Sequence, residues 1–292
     1  GSFALIIICK DNNKIIAIRK GSPLVLGIKG NEFFLASDLL ALLRHTNEIV
    51  FLEDNAAVIL DSDIDILNFN TGKRIDKKQE LVDIQFDEAD KGNFPHFMLK
   101  EIYEQPKAIN KTIEGLIHDN LKFNIPERIL SKLRRVIIVA CGTSWHAGLV
   151  AEYLIEQFSK IPVEVEYASE FRYRDPVIDE DTLVVAISQS GETADTNAAI
   201  KEAKKKKAFI FSICNVFGSS LTRISDLVIY TRAGPEIGVA STKAFTTQLS
   251  VLYLFSLFLA KFNKRLSSKE LEEKSELLKG VPQKIKEILD NV

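Results

Sequence analysis

The sequence predicts an α/β chain: a doubly wound parallel sheet of about five strands, three-layer and flavodoxin-like, behind a strand-rich antiparallel segment. Three observations carry this reading. After Arg135, short Val/Ile runs alternate with helical stretches. Residues 1–75 instead show brief strands separated by turn signals. Between the two, residues 76–95 are polar, charged and poorly periodic, as a linker is.

In the first segment, strands are expected at Phe3–Cys9, Lys14–Arg19, Leu24–Ile28, Glu32–Ala36, Glu48–Leu52, Ala56–Leu60 and Ile64–Asn68. DNN, KGSP, KGN, EDN and NTG supply the turns, and Asp38–His45 is a short helical piece. Asp11-Asn12-Asn13 would close the first hairpin, with Cys9 inside its first strand. From His96 the pattern is helical, and Pro106 is expected to open a second helical segment.

Five strands follow within 96–292: residues 136–140, 163–167, 183–188, 209–214 and 227–231. Continuous apolar runs of this kind belong to strands covered on both faces, hence a parallel sheet with helices on each side. Helices are expected from Trp145 to Phe158, after the strand at 183–188 to about Lys206, and over 242–262. The last is apolar but opens with Thr, Thr, Gln and Ser, and falls short of the ~20 apolar residues of a membrane span. It reads as a buried helix. The tail reads as two amphipathic helices split at Gly280-Val281-Pro282.

The chain has 292 residues, 46% hydrophobic and 27% charged, which is enough apolar material for a sizeable core. A net charge of -2 argues against nucleic acid and against an anionic membrane surface as partners. The basic run AKKKKA (203–208) falls where a helix ends and reads as a solvated cap. Cys9, Cys141 and Cys214 are odd in number and far apart, which fits a reducing compartment. His45, His96, His118 and His146 show no metal-ligand spacing with them.

The chemistry lies in the loops. In the common strand order 2-1-3-4-5, the switch point lies between strands 1 and 3, and ligands bind outside the strand ends there. The loop after strand 1 is Cys141-Gly142-Thr143-Ser144. The loop after strand 3 is Ser188-Gln189-Ser190-Gly191-Glu192-Thr193. Both are rich in Ser, Thr and Gly, and both open a helix. Free N–H groups and the helix dipole favour an anion there, and Gly142 and Gly191 let it approach the backbone. Neither loop has a basic residue, and neither matches a Walker or GxGxxG pattern. Ser and Thr at such junctions are also favoured N-caps, so capping is the competing reading for either loop alone. Glu192 is expected in the first helical turn, pointing away from the anion, and Lys243 on the helix surface. A third loop, Gly238–Lys243, could also close on a ligand through its Ser and Thr.

These residues carry a resemblance. CGTSWHAG, ASEFRYR, SQSGETADT, CNVFGSSL and EIGVASTKAFTTQ resemble the first sugar-isomerase (SIS) domain of the glutamine–fructose-6-phosphate aminotransferases. DKGNFPHFMLKEIYEQP resembles the segment that joins their glutaminase and isomerase domains. GSFALIII, RKGSPLVLGI and FFLASDLLALL resemble the C-terminal part of their glutaminase domain, an N-terminal-nucleophile hydrolase fold, so Gly1-Ser2 looks native.

The resemblance implies residues 1–75 as the end of a glutaminase domain, 76–95 as linker, and 96–292 as the first SIS domain with flanking helices. It implies sugar-phosphate ligands at Thr143, Ser144, Ser188, Gln189, Ser190 and Thr193, with Val239 and Ser241 near the sugar. It implies fructose 6-phosphate and glucosamine 6-phosphate as ligands, glutamine only for the longer enzyme, no metal or organic cofactor, a homodimer and a cytoplasmic setting. The family's nucleophilic Cys and its isomerase acid–base groups have no counterpart in this sequence, so the segment is expected to be catalytically silent alone. Two other readings compete: a phosphosugar deglycase or isomerase with the same loops, which would lack the strand-rich first segment, and a phosphosugar sensor, which would want a helix-turn-helix.

Overall fold

A computed structural model describes residues 1–8, 10, 14–61, 63–76, 78–82, 90–117, 121 and 123–292. Cys9, His118 and the expected turn 11–13 lie outside the described residues. The chain divides into two compact units, Gly1–Asp90 and Lys91–Val292.

In the first unit, β1 (Phe3–Ile8), β2 (Ile15–Lys20), β3 (Val25–Lys29), β4 (Glu32–Ala36), α1 (Leu39–Leu42), β5 (Glu48–Phe51), β6 (Ala56–Leu60), β7 (Ile64–Asn68) and β8 (Glu80–Leu81) follow in order. They form two antiparallel sheets, β1-β2-β6-β7 and β4-β3-β5-β8. The period of two decides which side chain goes where. Leu26 and Ile28 of β3 join Ala17, Val50, Val58 and Ile66 in one core cluster. Val25 and Ile49 point the other way, onto Leu39 and Leu42 of α1. β8 falls inside the stretch read as linker: buried Val82 donates its N–H to Asn47 O and pins the strand to β5.

The second unit begins with α2 (Phe97–Ile117), which runs unbroken through Pro106. The expected break is absent because the carbonyl that proline orphans, Ile102 O, accepts Gln105 Nε2 at 3.0 Å. Then come α3 (Glu127–Leu130), β9 (Val136–Ala140), α4 (Gly142–Ser159), β10 (Val163–Tyr167), α5 (Ala168–Phe171) and β11 (Leu183–Ser188). After them lie α6 (Ala194–Lys205), β12 (Phe209–Cys214), α7 (Ser220–Ile224), β13 (Leu227–Tyr230) and α8 (Lys243–Phe262). The tail forms α9 (Ser268–Lys279) and α10 (Val281–Leu289), divided at Gly280.

The five strands are all parallel, in the order β10-β9-β11-β12-β13, which is the expected 2-1-3-4-5 order. Both faces are covered, as the continuous apolar runs require. Val136, Ile138 and Ala140 of β9 pack into a cluster with residues of α2, α4 and α8. Ile137 and Val139, alternating with them, pack into a cluster with residues of α5, α6 and α7. Gly148 lets α4 lie close on the sheet, since a Cβ there would come within 2.9 Å of Val165 and 3.0 Å of Ile138. α8 is long and apolar enough to cross a membrane, but Val251, Leu252, Leu254, Phe255, Leu257 and Leu259 are fully buried in the protein, so it is a core helix.

Candidate functional site

β9 and β11 are neighbours, so their C-terminal ends open side by side. A cleft of about 170 Å³ lies there, lined by Cys141, Ser144, Ile187, Ser188, Gln189, Ser190, Thr193, Glu236, Gly238, Val239 and Ser241. Of the residues singled out in the sequence, Ser144, Ser188, Gln189, Ser190, Thr193, Val239 and Ser241 meet in this one cleft. Thr143 is exposed and outside its lining, and Gly142 and Gly191 shape the backbone beside it.

The choice between capping and anion binding turns on the helix ends. The N-cap residues are Cys141 for α4 and Thr193 for α6, and neither side chain makes a capping hydrogen bond. In α4 the first intrahelical donor is Trp145, whose N–H reaches Cys141 O. In α6 it is Asn197, bonded to Thr193 O. The N–H groups before these two carry the partial positive charge of a helix terminus.

The hydroxyls of the β11 loop are oriented by its own backbone. Ser188 Oγ accepts the N–H of Gly191 at 3.0 Å and lies 3.4 Å from Thr193 Oγ1. Ser190 Oγ accepts the N–H of Glu192 at 3.2 Å, which leaves its own O–H to donate elsewhere. Gly191 has φ +66°, and a Cβ there would stand 2.0 Å from Ser219 Oγ, so the turn accepts glycine alone without rearrangement.

The third loop differs. Glu236 Oε1 accepts the N–H groups of Thr242 at 2.9 Å and Ala244 at 3.0 Å, and Oε2 takes the hydroxyl of Ser241 at 2.8 Å. The start of α8 already holds an internal carboxylate. Ser241 therefore faces the cleft as an acceptor, and the expected closure of this loop's Ser and Thr as ligand donors does not hold for Thr242. Lys243 is likewise not a surface residue. It is 2% exposed, and its ammonium lies 2.6 Å from Glu104 Oε2.

Comparison with known proteins locates this architecture. A family model described as the SIS domain matches residues 129–257. A glutamine–fructose-6-phosphate aminotransferase [isomerizing] from Caldanaerobacter subterraneus is 48% identical, covering 100% of this chain and 49% of the relative. One from Clostridium tetani is 46% identical over 99% of this chain and 49% of the relative. Along its whole length the chain is similar to glutamine–fructose-6-phosphate aminotransferases, and it contains a SIS domain. It spans about half the length of the curated relatives it matches. A solved C-terminal domain of glucosamine-fructose-6-phosphate aminotransferase from Francisella tularensis superposes with a TM-score of 0.63 at 46% identity, covering 66% of this chain and 56% of that one.

Two lining residues, Cys141 and Glu236, carry no ligand role in the sequence reading. Cys141 directly follows strand β9 and precedes α4, a place the loop sequence already marks. Glu236 was visible as the acid six residues before Thr242, a spacing that a loop folding back on a helix start allows. The lining contains no Lys or Arg, so neutral donors and helix ends are the groups it offers an anion.

Proposed function

We propose that this cleft binds the phosphate of fructose 6-phosphate and glucosamine 6-phosphate, and that the chain is part of an enzyme making the second from the first with glutamine as nitrogen donor. One observation carries the reading: two helix N-termini without side-chain caps open into one cleft lined by Ser188, Gln189, Ser190 and Thr193, with no basic residue among its lining. Thr143 and Ser144 contribute from the first turn of α4, and Val239 and Ser241 face the sugar. The names of the relatives support the substrate. Residues 1–75 are read as the end of a glutaminase domain, 76–95 as linker and 96–292 as the first SIS domain. A homodimer in the cytoplasm completes the proposal.

Calorimetric titration with fructose 6-phosphate tests it. Saturable binding is expected. Ser190→Ala removes a donor to a charged group and should weaken it by about tenfold or more. Binding that Ser190→Ala leaves unchanged would remove this assignment.

A further inference from the structure

α2 supplies nothing to the lining of the cleft, yet two of its carboxylates end on the cleft's rim. Glu101 is 2% exposed. Its Oε1 accepts the N–H of Ile237 at 2.7 Å and of Gly238 at 3.0 Å, and Oε2 lies 3.3 Å from the latter. Three residues further along the helix, Glu104 Oε2 holds the Lys243 ammonium at 2.6 Å, and Lys100 approaches Glu104 Oε1 at 3.4 Å. The two acids thus grip both ends of 237–243, the stretch that carries Val239 and Ser241.

Between those grips the rim has little packing of its own. Val239 is fully exposed, and Ile237 is 43% exposed. Its shape therefore comes from hydrogen bonds: Glu101 and Glu104 from the helix side, Glu236 from the cleft side. A buried carboxylate persists only where donors satisfy it, and two of Glu101's donors are consecutive amides of the rim. Gly238 makes the approach possible, because a Cβ there would stand 2.5 Å from Glu101 Oε2.

We propose that Glu101 and Glu104 are positioning residues for the sugar end of the site, holding the rim in its ligand-ready shape before the ligand arrives. The idea rests on the sugar-phosphate reading above. A rim that is competent only a fraction of the time raises the apparent Kd by the inverse of that fraction. The phosphate end, built from the β9 and β11 loops, does not depend on α2 in this way.

The test is a set of NMR titrations of the 292-residue chain with fructose 6-phosphate and, separately, with inorganic phosphate, alongside melting curves. Glu101→Ala is expected to raise the Kd for fructose 6-phosphate about tenfold while changing that for phosphate by less than about twofold. Glu101→Gln, which keeps an acceptor, should fall between. Gly238→Ala should reproduce the loss in the wild-type background and add nothing in Glu101→Ala, where the clash is gone. If the wild-type chain binds neither ligand, the sugar-phosphate reading fails and this proposal with it. If the wild type binds and Ser190→Ala weakens it, two results would sink the proposal alone: unchanged affinity in the Glu101 variants, or equal losses for both ligands that track a fall in melting temperature.

Discussion

Glu192 Oε1 accepts the backbone N–H of Ser220 at 2.7 Å. The acid of the SQSGET loop therefore serves the start of α7. The expectation that it belongs to the first turn of its own helix is corrected, since Thr193 is the N-cap and α6 begins at Ala194. It points away from the cleft because a neighbouring helix end competes for it. The same loop is tied by Leu221 N–H to Gly191 O at 3.0 Å and by Asn215 N–H to Gln189 O at 3.2 Å.

That tethering predicts the effect of Gly191→Ala. The substitution meets a positive φ and a clash with Ser219 that Cys214 Sγ, 2.8 Å from the same Cβ, prevents from relaxing. A loss of roughly 2–4 kcal/mol is expected, read as a melting temperature lower by roughly 5–10 °C. A variant as stable as the parent would mean that the loop is looser than these contacts require.

The two described cysteines should differ in reactivity. Burial pushes the Cys214 thiol above its ordinary value, and the thiolate is the reactive form. Cys141 is half-buried and lines the cleft. In a Cys9→Ser background, mass spectrometry after iodoacetamide treatment should find Cys141 labelled first, and fructose 6-phosphate should slow that labelling while leaving Cys214 unaffected. Faster labelling of Cys214, or no protection of Cys141, would contradict the assignment. The sign for stability follows from the raised value. Cys214 favours the fold at pH below the ordinary thiol value of 9.0, and that contribution fades as pH rises through the folded-state value.

α9 carries a pH-dependent cap. The N–H and O–H of Ser267 donate to Glu270 Oε2 at 2.8 and 2.7 Å, while Ser267 Oγ accepts the N–H of Glu270 at 3.3 Å. These bonds hold the Glu270 carboxyl below its ordinary value of 4.5, the backbone donor contributing most. Its contribution is therefore present above 4.5 and lost as pH falls through the lowered value. Glu270→Gln should speed amide exchange at the start of α9 at pH 7, with a smaller difference from the parent at pH 3. An equal difference at both would show that charge is not involved.

The parallel sheet was legible because residues 136–140 and 183–187 are apolar without interruption, as strands covered on both faces are. The cleft was legible as far as it is local: Ser188, Ser190 and Thr193 announce a helix start within a few residues of each other. Tertiary partners were not. Glu101 meets amides 136 and 137 residues away, and no short-range pattern encodes that. Lysine is usually a surface residue, so the sequence places Lys243 there, whereas Glu104 on a distant helix makes its burial tolerable. Pro106 misled for the opposite reason, since its remedy was the residue immediately before it.

A cleft whose lining holds no lysine or arginine lacks a long-range pull on its ligand. Counter-ions have little to screen, so affinity and encounter rate should change little between dilute buffer and concentrated salt, unlike sites built on cationic clusters. Such a pocket selects by fit at contact distance, through donors that a correctly placed phosphate reaches.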